Sequence, residues 1–493
     1  MERHVLSKST YIRGLQCHKS LFLNKFHKDL RDEISDEQQR IFSRGSSVGE
    51  LAQQLFPDGK DASPENYYDF KPAIAQTNQW IDQGQEVIYE AAFQFEGVLA
   101  ALDILVHREG KFYAYEVKSS TEVKDYHLND ASLQYYVMKG CGIKVEDFSI
   151  VYINNQYVRA GDIDVHQLFT IESVLEQATD LQLNVAKSIA SMKETLEGGV
   201  VPEIDIGPHC SDPFSCDFSG HCWAGIPEDS VFDLVRSGKK SWNFYNRGIL
   251  ELSDIPEGEE LSDTQQIQVD GIKFGHEVFD KAKVEEFLNK WKFPLYFLDF
   301  ETIFPGVPLY NKSRPYQQVP FQYSLHVLYE DGRLDHHEFL HETDGSDPRE
   351  PMMNRLIKEL GTKGNIVAYN ASFEIGCMQG IAELFPRFQE DVALITDRVV
   401  DLLIPFRSRW VYKPAMKKSA SIKYVLPALV PELSYKDLEI QEGGTASSTF
   451  ESMVRGEDVP DQDKVRKDLL EYCKLDTLAM VEIYKYLKER VDE

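Results

Sequence analysis

The chain has 493 residues, 42% of them hydrophobic and 27% charged, which excludes a disordered or collagen-like polymer and leaves room for two or three domains. Asp and Glu outnumber Lys and Arg by 81 to 53, a formal net charge of −28. So acidic a surface repels nucleic acid over most of its area and excludes a protein that coats DNA by charge alone.

The opening segment MERHVLSKSTYIRG lacks the apolar core of a secretory signal, and no run of about 18 apolar residues occurs. The expectation is a cytoplasmic protein without a membrane span. Apolar residues recur at helical spacing in GLQCHKSLFLNKF and EQQRIFSRGSSVGELAQQLF, predicting helices through residues 1–60. VIYEAAFQF (87–95), VLAALDILV (98–106) and KFYAYEVK (111–118) read as strands joined by turns at Glu96-Gly97 and Glu109-Gly110. A helix at 127–140, a strand at 148–154 and a long helix at 165–195, stopped by Gly198-Gly199, complete a first unit closing near 225. Residues 226–290 read as a small helical linker module. A second α/β unit follows (291–493), with strands in PLYFLDFET and FQYSLHVLYE, a helix at 349–361, a buried strand at 365–370 and helices beyond.

Asp103 interrupts the apolar strand ALDILV, and Glu116 and Lys118 share one face of the next strand, since side chains two apart point the same way. Carboxylates on adjacent strands can hold Mg2+ or Mn2+, and a neighbouring lysine can position or activate the attacking water. This D…E-x-K pattern resembles the PD-(D/E)XK nucleases, in their RecB-like branch. The resemblance implies a restriction-endonuclease-like fold, with Asp103 and Glu116 as metal ligands and Lys118 as the catalytic lysine. Such nucleases usually add a histidine in G-x-x-x-H; here Gly45-Ser-Ser-Val leads to Gly49, with Glu50 beside it as a substitute ligand. Their Q-x-x-x-Y motif is matched by Gln134 next to Tyr135, at another spacing, which makes Gln134 a candidate nucleic-acid contact.

Cys210, Cys216 and Cys222 form C-x5-C-x5-C, and Cys17 stands near the start of the same unit. Four thiolates suit a tetrahedral zinc or a [4Fe–4S] cluster; zinc sites favour closer pairs such as C-x2-C, which this run lacks. One early cysteine plus three after the nuclease core resembles the iron–sulfur RecB-like nucleases, such as the CRISPR-adaptation nucleases and the AddB nuclease domain. That resemblance covers roughly residues 6–225. It implies that Cys17, Cys210, Cys216 and Cys222 hold a cluster stapling the two ends of the domain. Cys141, Cys377 and Cys473 read as plain buried residues.

In YFLDFET, Asp299 and Glu301 share a strand face; VAYNASFE supplies Glu374, and LLEYCKLDTLAMVEIY places Tyr472 and Asp476 one helical turn apart. Four carboxylates can bind two divalent ions about 4 Å apart for in-line attack on a phosphodiester. The three motifs in this order resemble the DEDD exonucleases on an RNase H-like fold, in their tyrosine subclass. The resemblance implies Asp299, Glu301, Glu374 and Asp476 as metal ligands and Tyr472 as the residue that orients water. Glu374 stands where that family has aspartate, and Asp401 is a further acid that can assist. SASIKYVLPAL (419–429) is similar to the helix before the last motif of proofreading exonucleases.

Two basic segments offer a strand path. One is Lys8, Arg13, Lys19, Lys25, Lys28 and Arg31; the other is Arg407, Arg409, Lys413, Lys417, Lys418 and Lys423, with Trp410 and Tyr412 interleaved to stack bases. The whole chain is similar to an uncharacterised bacterial family that fuses an iron–sulfur RecB-like domain to a DEDD exonuclease-like domain. The expectation is a metal-dependent nuclease acting on single-stranded or end-containing DNA in repair, end processing or defence. It would carry a 3′–5′ centre in the second unit and a PD-(D/E)XK centre in the first. An exoribonuclease whose first domain only binds, and a non-catalytic nucleic-acid-binding protein with degenerate sites, are the alternatives.

Overall fold

The computed structural model of the chain describes residues 5–34, 36–433, 435, 440 and 443–493, with the backbone alone for 36, 37 and 39–44. The chain divides into two units: Met1–Gly225 with Gly306–Tyr316, and Ile226–Pro305 with Gln317–Glu493.

The first unit is built on seven strands: β1 (Leu6–Ser7), β2 (Lys60–Asp61), β3 (Val87–Phe95), β4 (Val98–Arg108), β5 (Lys111–Lys118), β6 (Val145–Ile153) and β7 (Phe169–Ser173). Glu96-Gly97 and Glu109-Gly110 all take positive φ, as two-residue turns between right-twisted antiparallel strands require. These turns set the β3–β4–β5 meander. The helix Asp125–Gly140 then crosses over, so that β6 adds parallel to β5. The sheet order is β2-β3-β4-β5-β6-β7, with β1 parallel to β4. Ala131, Leu133, Val137 and Met138 of the crossover helix, with Val185, Ile189 and Met192 of the helix Gln182–Glu197, cover β3, β4 and β6 in one core.

The long helix expected at 165–195 is broken. A short turn, Val165–Leu168, leads into β7, and helices Leu175–Asp180 and Gln182–Glu197 follow. The aromatic and β-branched run Phe169-Thr-Ile finds the open edge of β6 and pairs antiparallel with it, and those ladder bonds outweigh the local helical periodicity.

The second unit contains β9 (Leu295–Ile303), β10 (Val319–Leu328), β11 (Leu334–Leu340), β12 (Asn365–Ala368) and β13 (Val399–Asp401), preceded by β8 (Val278–Phe279), which pairs with β14 (Val411–Tyr412). The five-stranded order is β11-β10-β9-β12-β13; β10 is antiparallel to both neighbours, and β9, β12 and β13 are parallel. β11 and β13 were not read from sequence, because LDHHEFL is polar and half-buried and VVD is three residues long. The helix Gln462–Asp492 packs on the sheet: Gln322 Nε2 donates to the Leu469 carbonyl, and the Thr477 hydroxyl bonds Ser324 and His326. Residues 226–290 belong to this unit, around a small core of Val231, Leu234, Phe244, Leu252, Ile255 and Val269. Among the described residues, no helix is long and apolar enough to cross a membrane.

Candidate metal centres

In the first unit, the β3–β4 ladder is interrupted between Tyr89↔Ile104 and Ala91↔Leu102, where Glu90 and Asp103 face each other and Glu90 takes φ +52°. Asp103 Oδ2 accepts from the Val117 backbone at 2.6 Å, which ties it to β5 beside Glu116. Glu116 Oε1 accepts from Lys8 at 2.6 Å and Lys118 at 2.8 Å, and Oε2 accepts from Gln134 at 2.9 Å. Lys118 also reaches Asp130 Oδ2 at 2.5 Å. Burial alone would raise the Glu116 carboxyl, yet Lys118 and Lys8 hold it well below the usual range. Asp103, desolvated and beside Glu116, rises to about 6, and Glu90, raised first by burial and then by Asp103, reaches about 8.

The structure thus brings Asp103, Glu116, Lys118 and Gln134 together. It adds two residues missed in the sequence, Glu90 and Asp130, and it takes Lys8 out of the expected basic strand path, since its ammonium is engaged by the buried Glu116. Asp130 was legible, because it precedes Gln134 by four positions on one helix face. Gln134 holds the acids rather than an open surface. Glu50 is exposed on the helix Asp36–Ala52, and among the described residues no hydrogen bond or ion pair joins it to the cluster.

Cys17 sits in extended backbone between the helices Lys8–Gln16 and His18–Phe26, Cys210 ends the turn Pro208–Cys210, and Cys222 ends the short helix Ser219–Cys222. All four expected cysteines, Cys17, Cys210, Cys216 and Cys222, line one small cavity with Lys19. Burial and then the neighbouring thiols Cys216 and Cys210 raise Cys17. Around this cavity the ends of the unit are bound together: Arg13 grips Asp217 through two bonds, 2.5 and 2.9 Å, and Gln16 donates to the carbonyls of His209 and Phe214. Asp32 accepts from the Gly220 backbone with both oxygens at 3.1 Å. Four thiols facing a common space fit a thiophilic metal or cluster, and the cysteines are free of disulfides. Cys141, expected to be buried, is exposed at a helix end, its Sγ donating to the Gln94 carbonyl.

In the second unit, Asp299 and Glu301 project from β9 toward Tyr472, Cys473 and Asp476 of the helix Gln462–Asp492. These residues converge because that helix is anchored across β9 and β10. Asp299, Glu301, Tyr472 and Asp476 line a cleft of 530 Å³. Ligand atoms of Asp299, Glu301 and Cys473 all lie within 4.8 Å of one another. Cys473 Sγ is 3.7 Å from Asp299 Oδ2, so this cysteine belongs to the site and is not merely core. Burial, then Asp476 and Glu301, push the Asp299 carboxyl far above its usual range; burial and Asp476 do the same to Glu301. Asp476 accepts from the Tyr435 hydroxyl at 2.6 Å and rises, by burial, only to about 6.

Lys423 is a cation at this site, 5.9 Å and 5.7 Å from the ring centres of Tyr435 and Tyr472. Glu374, in the helix Ser372–Leu384, is 2% exposed and, among the described residues, has one oxygen without a hydrogen-bond partner; burial raises it to about 8. It adds to the repulsion on Asp299 from outside the cleft lining. Asp401 caps turns, its Oδ1 accepting from the Asn370 and Leu403 backbones. The expected open strand path at 407–423 is corrected in part: Arg409 and Tyr412 are buried, so Tyr412 cannot offer its ring to a base. Lys413 lies over the Tyr486 ring at 5.3 Å, Lys417 is exposed, and Lys418 pairs with Asp233 at 3.0 Å.

Residues 296–421 match a family model described as a domain of unknown function (DUF2779). That stretch carries Asp299, Glu301 and Glu374 and stops before Tyr472 and Asp476. Uncharacterized protein UU173 of Ureaplasma parvum is 25% identical over 240 residues, covering 43% of this chain and 34% of that protein. Uncharacterized protein MG366 of Mycoplasma genitalium is 25% identical over 223 residues, covering 41% and 33%. The MG366 homolog of Mycoplasma pneumoniae is 24% identical over 226 residues, covering 42% and 34%. The chain spans about a third of the length of these curated relatives. A solved structure, that of SSO0001, is similar at 13% identity over 46% of this chain and 90% of its own, with a TM-score of 0.25, too slight to carry structural weight.

Proposed function

We propose that the chain is a metal-dependent nuclease that hydrolyses phosphodiester bonds in DNA, with its principal centre in the cleft of the second unit. The observation that carries this reading is the convergence of Asp299, Glu301, Asp476 and Tyr472 on that one cleft. Buried carboxyls that repel one another hold protons until a divalent cation replaces them, so the donor set is matched to Mg2+ or Mn2+. Bound there, such ions would polarise the phosphodiester and favour ionisation of the attacking water. Tyr472, one turn from Asp476, orients that water, and Lys423 places positive charge on the cleft wall for a non-bridging phosphate oxygen.

The strand order of the second sheet, with the acids on its central strand, supports an RNase H-like, DEDD-type exonuclease acting from 3′ ends. In the first unit, the β3–β4–β5 meander, crossover helix and parallel β6 support a PD-(D/E)XK fold with a second centre at Asp103, Glu116 and Lys118. The four-thiol cavity supports a [4Fe–4S] cluster held by Cys17, Cys210, Cys216 and Cys222. A second reading of the first centre, a structural ion-pair network, is favoured by one observation: both Glu116 oxygens already have partners.

The test is a time course on end-labelled single-stranded DNA and RNA with Mg2+ or Mn2+, comparing wild type, Asp299→Ala and Glu116→Ala. The expected result is a DNA ladder from the 3′ end that Asp299→Ala weakens more than about 100-fold, beyond the loss typical of outer-shell partners. Cleavage that survives Asp299→Ala and disappears in Glu116→Ala would establish the first centre. A ladder on RNA alone would make the chain an exoribonuclease. No cleavage of either polymer by metal-loaded protein would overturn the enzyme reading in favour of a binding protein.

A further inference from the structure

A cavity of 300 Å³ in the second unit adjoins the metal cleft and shares Arg407 and Ala420 with it. Four of its lining residues are cationic, Arg236, Arg407, Arg409 and Lys418, and none is acidic. Two of these have acids nearby: Lys418 pairs with Asp233 at 3.0 Å, and Arg407 stands 3.8 Å from Asp401. Among the described residues, Arg409 forms no ion pair. It is 3% exposed, its Nη2 donates to the carbonyls of Lys417 and Lys418, its guanidinium lies 4.7 Å from the Tyr412 ring centre, and its buried Nη1 has no hydrogen-bond partner among those residues. Arg236 is close enough to repel it. A buried guanidinium donor left open beside further cations is unfavourable unless an anion completes the set.

The backbone adds an independent sign. Arg236, Arg409 and Lys417 take φ of +49°, +55° and +50°, a region that residues with a Cβ rarely occupy and that gathers at ligand clamps.

We infer that this cavity is a phosphate-binding pocket, in which Arg409, Arg236 and Lys418 receive a phosphate group of a nucleotide or nucleic-acid strand. A guanidinium fork suits the paired oxygens of phosphate, and Arg409, held rigid by two carbonyls and a ring, loses little freedom in binding one. The shared Arg407 places the pocket so that a strand with one phosphate there presents a neighbouring phosphodiester to the metal cleft. That last step rests on the nuclease reading; the pocket itself does not.

The test is isothermal titration of the full chain at constant ionic strength, with chelator present. The probes are inorganic phosphate, a nucleoside 5′-monophosphate and a dinucleotide without terminal phosphates. Arg409→Ala removes a support of the fold, so the exposed Arg236 and Lys418 carry the experiment. Saturable binding by wild type, weakened roughly ten-fold in both Arg236→Ala and Lys418→Ala, is the expected result for loss of a charge-assisted contact. A preference for the monoesters identifies a nucleotide or strand end, and equal binding of the dinucleotide identifies a backbone phosphate; either supports the pocket. No saturable binding of the three probes, or binding unchanged in both variants, overturns it. Since chelator silences the metal cleft, phosphate binding without any cleavage under metal would sink the nuclease reading alone, and cleavage without phosphate binding would sink the pocket alone.

Discussion

Glu116 is 1% exposed, and its charge survives burial because Lys8 and Lys118 stand on one oxygen and Gln134 on the other. Lys118 is shared with Asp130, so removing its ammonium takes one of two cations from Glu116 and the ion-pair partner from Asp130. Lys118→Met is therefore expected to destabilise the first unit by about 3–5 kcal/mol, the usual result of breaking a buried pair from one side. Denaturant unfolding measures this, and it means that lost activity in that variant does not by itself identify a catalytic lysine. Lys118→Arg separates the roles. A lysine that positions water predicts recovered stability without recovered cleavage; recovery of both would reduce Lys118 to a structural cation. Asp103, Glu116 and Lys118 were legible from strand alternation. Lys8 was not, because its contact with Glu116 closes over 108 residues and depends on how β1 pairs with β4.

Between elements, the helices Lys8–Gln16 and His18–Phe26 are tied to the cysteine run by polar contacts from Arg13 and Gln16, beside the four thiols. Protein purified without oxygen is expected to contain iron and acid-labile sulfide. Stoichiometric zinc without iron would overturn the cluster assignment. Cys216→Ser is expected to release the bound group and lower the calorimetric transition of the first unit more than that of the second; equal losses would contradict a local staple. The thiol spacing was visible in the sequence. The edge strands β7 and β11 were not, because strands of five and seven residues, few of them buried, are fixed only by the partner whose edge they cover.

Across the whole molecule, a net charge of −28 coexists with carboxyls buried in each unit. In the second, Glu374 rises from 4.5 to about 8 and Asp476 from 3.8 to about 6, burial being the first cause of both. An acid that holds its proton more tightly when folded stabilises the fold at low pH. That contribution drains away as pH climbs from the unfolded value near 4.5 through about 8. With chelator present, the second unit is expected to melt lower at about pH 8 than at about pH 5, and Glu374→Gln should flatten that slope. Mn2+ should raise the melting temperature far more at the higher pH, where it no longer competes with protons. An unchanged slope in Glu374→Gln would place the titrating groups elsewhere, and an equal metal effect at both pH values would count against carboxylate ligation.

By itself the sequence determined the local pieces: the meander with its two Glu-Gly turns, the crossover helix, the strand bearing Asp299 and Glu301, and the turn joining Tyr472 to Asp476. Periodicity and turn chemistry are properties of neighbouring residues, so they are written in any short window. Only the tertiary structure decided that Cys473 joins the acids of β9, that Lys8 and Glu90 complete the first cluster, and that Arg409 is buried in a cationic pocket rather than spread along an open path. Those outcomes depend on burial and on charges brought together from distant segments, and the energy of such a contact does not exist until the fold has excluded water from it.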